Sequence, residues 1–146
     1  MKTTGNTILI TGGATGIGLA LAEVLTNAGN EVMICGRREQ KLIQAKNKLP
    51  KVHTRICNIA DPEDRKSLFE WTTTNFPQTN ILINNAGIQR EINFKRGAED
   101  LESGEDEIET NLHAPIHLSA LFIPHLVKQD EAAIINISSG LGFAPL

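Results

Sequence analysis

Apolar residues in this chain come in short runs that alternate with longer amphipathic segments. The short runs predict five strands, at residues 7–10, 31–35, 52–56, 80–84 and 132–137. The segments between them have the apolar spacing of helices and predict four, at residues 17–28, 38–49, 61–75 and 104–127. Strands that alternate with helices over short connections indicate an α/β fold, in which helices cover both faces of a parallel sheet.

Residues that end or begin helices support these boundaries. Gly29 and Asn30 follow the first helix as a left-handed cap would, Pro50 ends the second, and Asp61 before Pro62 caps the start of the third. Because crossovers between parallel strands are right-handed, the expected sheet is doubly wound and Rossmann-type, with strand order 3-2-1-4-5. We expect one domain over residues 1–146, truncated after the fifth strand.

The segment at residues 89–110 differs from the rest in composition. It carries eight acidic residues and few apolar ones, which predicts a solvated loop and the start of a helix. It also follows the carboxyl end of a strand, where ligands bind in such folds. A lid over a substrate is therefore an alternative.

Charge and composition exclude several kinds of partner. The net charge of −3 lacks the basic footprint of a nucleic-acid-binding protein. No apolar run approaches the length of a membrane span, and the first residues do not have the pattern of a secretory signal. We therefore expect a cytoplasmic protein with no membrane or nucleic-acid partner.

The cysteines and histidines do not predict a metal site. Cys35 and Cys57 lie near the ends of two strands and could be neighbours in the sheet, where buried, reduced thiols are expected. His113 and His117 are four residues apart on one helical face, but no third ligand is near them in the sequence. A helix surface or a subunit contact is the simpler interpretation.

The sequence TGGATGIG at residues 11–18 joins the first strand to the first helix. Gly12 allows a sharp turn out of the strand, while Gly16 and Gly18 lack the Cβ atoms that would keep a diphosphate from the helix. The backbone N–H groups and the positive end of the helix favour an anion. We therefore expect a nucleotide here, the alternative being a glycine-rich turn without a ligand.

Three motifs in order along the chain resemble the short-chain dehydrogenase/reductase family. They are T-G-x-x-x-G-x-G from Thr11, the N-N-A-G at residues 84–87, and Ser-Ser-Gly at residues 138–140. The resemblance implies a dinucleotide-binding domain and hydride transfer between a nicotinamide cofactor and a carbonyl or alcohol substrate. It implies that these residues contact the cofactor: Gly12, Thr15, Gly16, Ile17, Gly18, Asn85, Ala86 and Gly87. Residues 83–90 and 138–141 look like a narrower bacterial subgroup, whose genes are associated with D-alanylation of teichoic acids.

The residues after the second strand indicate which nicotinamide cofactor is preferred. Dinucleotide folds that bind NAD have an acid there, whereas this chain has Gly36, Arg37 and Arg38. The planar fork of Arg37 suits a 2′-phosphate, and a charged hydrogen bond contributes about 1.5–3 kcal/mol. We therefore expect NADP(H) to be preferred, with NAD(H) possible. The alternative is a solvated helix start.

Asn58 and Ile59 follow the third strand and complete the expected cofactor site. The family usually has Asp at the place of Asn58, where it contacts the adenine amino group. Asn keeps an acceptor oxygen, so this contact can survive.

Two residues are the candidates for catalysis. Ser139 matches the catalytic serine of the family, and its hydroxyl could donate to the substrate oxygen as charge develops there. Asn111 precedes Pro115 by four residues, and proline has no N–H to bond the Asn111 carbonyl. The resemblance implies that this freed carbonyl holds a water of a proton relay. A simple helix kink is the alternative.

The family carries Tyr-x-x-x-Lys after its serine, and this sequence contains no tyrosine. We therefore expect a fragment that is inactive alone, derived from an enzyme that contains both residues. A non-catalytic nucleotide-binding module or sensor is one alternative. Another is an interaction fragment that pairs through the helix at residues 104–127, where a homo-oligomer contact is also expected.

Overall fold

A parallel sheet of five strands forms the centre of the molecule. In the computed structural model, which describes residues 2–104 and 106–140, the strands are β1 (Thr7–Thr11), β2 (Glu31–Gly36), β3 (His53–Ile56), β4 (Thr79–Asn84) and β5 (Ala133–Asn136). Their order is β3-β2-β1-β4-β5, and each neighbouring pair is parallel. The doubly wound order expected from the sequence is confirmed. The domain expected over residues 1–146 includes residues 1, 105 and 141–146, which lie outside the described part, so its extent stays a prediction.

Helices cover both faces of this sheet. They are α1 (Gly16–Asn27), α2 (Glu39–Lys48), α3 (Pro62–Asn75) and α5 (Ala114–Leu126), while the short α4 (Glu99–Glu102) lies in the acidic segment after β4. Successive side chains of a strand point to opposite faces. Ile8 and Ile10 of β1 accordingly pack in an apolar cluster with residues of α1 and α2, whereas Leu9 packs with residues of α3 and α5. Every residue of β1 is buried, as expected of a central parallel strand.

The helix expected at residues 104–127 is wrong in its first part. Gly104 has a φ of +84°, which is left-handed and does not start a helix. The carboxylate of Asp106 accepts hydrogen bonds from the N–H groups of Ile108 and Glu109, so the helical path begins after it. A π-helical turn, Glu109–His113, then leads into α5.

Asparagine side chains join the strands at the amino-terminal edge of the sheet. The Asn30 Oδ1 atom accepts from both the backbone N–H and the Nδ2 of Asn6, each at 2.9 Å. Asn80 donates from Nδ2 to Asn6 Oδ1 at 3.0 Å and accepts from the Thr7 N–H at 2.9 Å. Gly29 takes the expected left-handed conformation, with a φ of +85°. These amides fix the starts of β1, β2 and β4 relative to one another.

The two cysteines are buried thiols under the carboxyl end of the sheet. A hydrogen bond with Cys57, together with burial, raises the pKa of the Cys35 thiol well above its usual value. Cys57 donates to the carbonyl oxygen of Asp64 at 3.7 Å. The buried Cys35 thiol with its raised pKa is a poor nucleophile, and both buried cysteines pack as small apolar residues.

Candidate cofactor and active site

A cavity of about 440 Å³ opens at the carboxyl ends of β1, β2 and β4. In a doubly wound sheet this is where ligands bind, beside the point at which the strand order reverses. Of the residues expected to contact a cofactor, all except Gly18 line it: Gly12, Thr15, Gly16, Ile17, Arg37, Arg38, Asn58, Ile59, Asn85, Ala86 and Gly87. The fold thus brings together residues from four separate loops. Their individual contacts with a cofactor remain predictions.

The glycine turn leaves its upper side open to this cavity. Gly12 has a φ of +67°, and a Cβ there would lie 2.8 Å from the Cα of Ala86, so only glycine fits between β1 and the loop after β4. Gly16 has a φ of +55°, and nothing lies within 4 Å of its ideal Cβ position. The empty space above Gly16, at the start of α1, suits an anion bound by backbone N–H groups.

Gly18 lies in a tightly packed part of the glycine turn. It is buried, and a Cβ would lie 2.4 Å from the Gly12 carbonyl oxygen and 2.5 Å from Asn85 Nδ2. Its missing side chain therefore allows α1 to pack against the end of β1, and its expected contact with the cofactor stays a prediction. Gly13 has a similar role that the sequence analysis missed, because a Cβ there would lie 2.5 Å from the Ile34 side chain.

Thr11, also missed in the sequence analysis, joins the ends of β1 and β4. Its Oγ1 accepts from the N–H groups of Asn85 and Ala86, both at 3.0 Å. Asn85 in turn donates from Nδ2 to the carbonyl oxygens of Thr11 at 2.9 Å and Gly12 at 3.3 Å. These contacts connect the loop after β4 to the glycine turn. The signal in the sequence was a small hydroxyl residue directly before the glycines.

Cationic side chains dominate the charge of the cavity. Arg37 and Arg38 line it, and none of its described lining residues is Asp or Glu. Arg38 donates from Nη2 to Thr15 Oγ1 at 3.3 Å, which connects the start of α2 to the glycine turn. The described lining therefore contains no carboxylate that would repel the 2′-phosphate expected from the sequence.

Asn58 forms a turn of its own after β3. Its backbone N–H donates to Asp64 Oδ2 at 2.7 Å, and its Oδ1 accepts from the N–H of Ala60 at 3.3 Å. The oxygen expected to meet an adenine amino group thus already has one backbone donor. A carbonyl oxygen has two lone pairs, so one more hydrogen bond can be accepted.

A second cavity, of about 840 Å³, adjoins the first and contains both candidates for catalysis. Asn111 and Ser139 line it, and it shares the segment from Asn85 to Gly87 with the first cavity. The fold thus places Asn111 and Ser139 in one cavity beside the loop after β4. The loop after β4 forms the boundary between the two cavities.

The helix around Asn111 forms a π-turn where a simple kink was the alternative. The N–H of Ala114 bonds the carbonyl of Glu109, five residues earlier, and Pro115 has no N–H to offer the carbonyl of Asn111. The side chain of Asn111 has a role that the sequence analysis missed. It accepts from the Ile88 N–H at 2.8 Å and donates to the Ile88 carbonyl at 2.7 Å, which fixes the loop after β4.

A buried arginine beside this turn was also missed. Arg65 of α3 is 1% exposed and donates to the carbonyl of Ile59, the carboxylate of Glu109 and Nδ1 of His117. Glu109 also pairs with His113 at 2.6 Å. The hydrogen bond from Arg65, and next the one with His113, lower the pKa of Glu109.

The acidic segment is ordered by its own charges. The Arg90 N–H donates to Glu107 at 2.6 Å, and its guanidinium donates to the carbonyls of Asp100 and Ser103. The carboxylate of Asp100 accepts from the N–H of Asn93 at 2.8 Å. The segment is thus more structured than the solvated loop expected from its composition. Its role as a lid remains a prediction.

Two further features can be stated for residues 2–104 and 106–140. None of the helices there combines the length and the apolar character that crossing a membrane requires. No group of three or more His, Cys, Asp or Glu side chains in that part of the chain is arranged to hold a metal ion.

Comparison with known proteins identifies the family. The model of the short chain dehydrogenase family matches residues 6–146, and the chain belongs to this family. It is 58% identical, over all 146 residues, to the uncharacterized oxidoreductase DltE of Bacillus subtilis strain 168 and covers 58% of that protein. It is 35% identical over 143 residues, 97% of this chain, to the 3-oxoacyl-[acyl-carrier-protein] reductase FabG of Rickettsia prowazekii strain Madrid E, of which it covers 56%.

A solved structure supports the same assignment. The L-sorbose reductase of Gluconobacter frateurii, complexed with NADPH and L-sorbose, superposes with a TM-score of 0.84 at 27% identity. The match covers 98% of this chain and 56% of that one. The chain thus spans less than three fifths of the length of these relatives. The resemblance inferred from the three motifs is confirmed.

Proposed function

We propose that this chain supplies the cofactor-binding part of an NADP(H)-dependent oxidoreductase. Such an enzyme would transfer a hydride between the nicotinamide and a carbonyl or alcohol substrate. The observation that carries the proposal is the cavity at the carboxyl edge of the sheet, where the glycine turn, Arg37 and the loop after β4 meet. The L-sorbose reductase that shares this fold was solved with NADPH, which supports the cofactor class.

The preference for NADP(H) rests on charge. A phosphate monoester carries about −1.5 to −2 charges at neutral pH, and two arginines but no described carboxylate line the cavity. Arg37 would bind the 2′-phosphate with its planar fork. Arg38, which contacts Thr15, would keep this end of the cavity positive.

The residues of the second cavity would act on the substrate. NADP(H) would supply or accept the hydride. Ser139 would donate a hydrogen bond to the substrate oxygen and stabilise negative charge as it develops there. The backbone carbonyl of Asn111, beside Pro115, would hold a water that passes on a proton. The side chain of Asn111 would keep Ile88 in place at the wall shared by cofactor and substrate.

Cofactor titrations test this proposal. The intrinsic fluorescence of NADPH and NADH is followed on addition of the wild-type chain, Arg37→Ala, and the matched control Lys41→Ala, which removes an exposed cation from the nearby start of α2. Arg37→Ala is expected to weaken NADPH binding about ten- to a hundredfold, because a charged hydrogen bond of about 1.5–3 kcal/mol is lost. NADH binding should stay the same, and Lys41→Ala should affect neither. Unchanged NADPH affinity in Arg37→Ala would contradict the proposed preference.

We also propose that the protein is cytoplasmic and forms a homo-oligomer through the region of α5. Large apolar side chains are exposed along and beside this helix: Leu112, Ile116 and Ile123, which also line the second cavity, and Val127 outside it. An apolar surface of this kind supports contact with another copy of the chain. Sedimentation analysis at micromolar concentration measures the mass, and a monomer at every concentration would argue against the contact.

A further inference from the structure

Three walls of the first cavity are held by side chains that do not face the cavity themselves. Ile59, Ile88 and Thr110 line it, and they come from the loop after β3, the loop after β4 and the π-turn. Asn111 fixes Ile88 through two hydrogen bonds. The other two walls are joined by Arg65.

Arg65 lies fully buried between the two walls. Its Nη1 donates to the Ile59 carbonyl at 2.6 Å and to Glu109 Oε1 at 2.7 Å, and Glu109 is the residue before Thr110. Its Nε donates to His117 Nδ1 at 2.8 Å, so the neutral His117 ring carries its proton on Nε2. One guanidinium thus contacts the loop after β3, the start of the π-turn and α5.

These three contacts require the shape of arginine. They use different N–H groups of one rigid fork, whereas the ammonium of lysine is a compact charge at the end of a flexible chain. A buried ion pair is in general weak support for stability, because desolvation of the charges opposes their attraction. The charge and shape of the Arg65 side chain are better explained by the need to keep the loop after β3 at a fixed distance from the π-turn.

We propose that Arg65 is a positioning residue of the cofactor site, which transmits occupancy of the cavity to the π-turn that carries Asn111. This inference rests on the proposed function, since it assigns the loop after β3 to the adenosine end of NADP(H). A cofactor that fixes Ile59 would, through Arg65 and Glu109, also fix the turn at Thr110 and Asn111. Ordering one site would then order the other, which is a coupling free energy between them.

Hydrogen exchange measured by mass spectrometry tests this coupling, with and without saturating NADPH. The variants are Arg65→Lys, which keeps the charge but loses the fork, and Glu109→Gln, which weakens the same link from its more exposed end. The control is Lys66→Met, which removes an exposed cation paired with Glu63 at the next position of α3. Saturation ensures that a weaker affinity is not mistaken for lost coupling.

In the wild-type chain, NADPH is expected to slow exchange in the glycine turn at residues 11–18 and in the π-turn at residues 108–114. In Arg65→Lys, protection at 11–18 should remain while protection at 108–114 is lost, and the Kd for NADPH should rise about fivefold or more. Glu109→Gln should also reduce the protection at residues 108–114 and raise the Kd for NADPH, whereas Lys66→Met should behave as the wild type.

Two results separate the possible failures. If the wild-type chain shows no protection at residues 11–18, the proposed cofactor function is wrong. If that protection is present but residues 108–114 are unaffected, or remain protected in both Arg65→Lys and Glu109→Gln, the coupling is wrong while the function stands. If Arg65→Lys does not fold, Glu109→Gln decides, because its side chain is 28% exposed and its size is kept.

Discussion

Gly16 and Gly18 lie two residues apart in the same turn. Alanine is expected to reduce stability more at Gly18 and NADPH binding more at Gly16. At Gly18 a Cβ would lie 2.4 Å from the Gly12 carbonyl oxygen and 2.5 Å from Asn85 Nδ2. At Gly16 a Cβ would enter open space, with a φ of +55°. Gly18→Ala should therefore destabilise the fold, whereas Gly16→Ala should mainly weaken binding.

The structure gives the sizes of both effects. Relief of the contacts at Gly18 requires a shift of α1, at about 1–3 kcal/mol for overpacking, or loss of the two Asn85 hydrogen bonds at about 1 kcal/mol each. Either route predicts a loss of about 1–3 kcal/mol, a substantial share of the 5–15 kcal/mol typical of a domain. Alanine at a left-handed position costs about 1–2 kcal/mol, partly offset by about 0.4–1 kcal/mol from the unfolded state. Gly16→Ala should thus lose about 1 kcal/mol.

Binding should rank the two variants in the other order. The methyl group of Gly16→Ala would occupy the space expected for the diphosphate and would displace at least one charged hydrogen bond of about 1.5–3 kcal/mol. NADPH affinity should therefore fall roughly tenfold or more. If Gly18→Ala folds, its affinity for NADPH should fall less than that of Gly16→Ala, because Gly18 does not line the cavity.

Urea unfolding and NADPH titration measure the two effects separately. The single tryptophan, Trp71, packs against Phe76 with ring centroids 5.2 Å apart, so its fluorescence reports unfolding. A Gly18→Ala chain as stable as the wild type would refute the packing role of Gly18. A Gly16→Ala chain that is stable and binds NADPH normally would refute the proposed anion site.

The remaining predictions concern the links between loops. Thr11→Val should lower the free energy of unfolding by about 1–3 kcal/mol, because two backbone N–H groups lose their acceptor. Thr11→Ser keeps this oxygen and should retain most of the wild-type stability. Urea titrations measure both variants. The pKa of Glu109 is lower in the folded chain than in the unfolded chain. Its carboxylate therefore adds to the free energy of unfolding at pH values above the unfolded-state pKa, and this stabilisation is lost as the pH falls through the folded-state pKa. Glu109→Gln should therefore be less stable than the wild type at pH 7, with a difference that shrinks below about pH 4. A difference that is constant across this range would contradict the assigned charge interaction.

The strands and the cofactor cavity followed from the sequence because their signals are local. Buried strands appear as apolar runs, as in β1, and the glycines mark a turn that can leave its N–H groups exposed. The predicted second strand, at residues 31–35, differs from Glu31–Gly36 by one residue. In a parallel sheet every strand ends at the same edge, and one helix separates each strand from the next in the sequence. The loops that follow the strands could therefore be expected to meet at that edge.

Interactions between distant residues could not be predicted in this way. Arg65 lies on an amphipathic helix, where an arginine usually faces solvent, and its partners Glu109 and His117 are 44 and 52 residues away in the sequence. The π-turn lies between the Asp106 cap and Pro115 and is bonded to α3 through Arg65, whereas the pattern of residues 104–127 alone favours one continuous helix. The packing role of Gly18 likewise depends on Asn85, from another strand.

The double hydrogen bond between Asn111 and Ile88 changes how substitutions at Asn111 should be understood. A backbone carbonyl is present whatever the side chain, so replacing this asparagine leaves the oxygen expected to hold a water and removes only the tether to the neighbouring loop. Lost activity in such a variant would report a displaced wall rather than a broken proton path. Pro115 is the more informative position, since an N–H placed there would compete for the carbonyl while the tether stays intact.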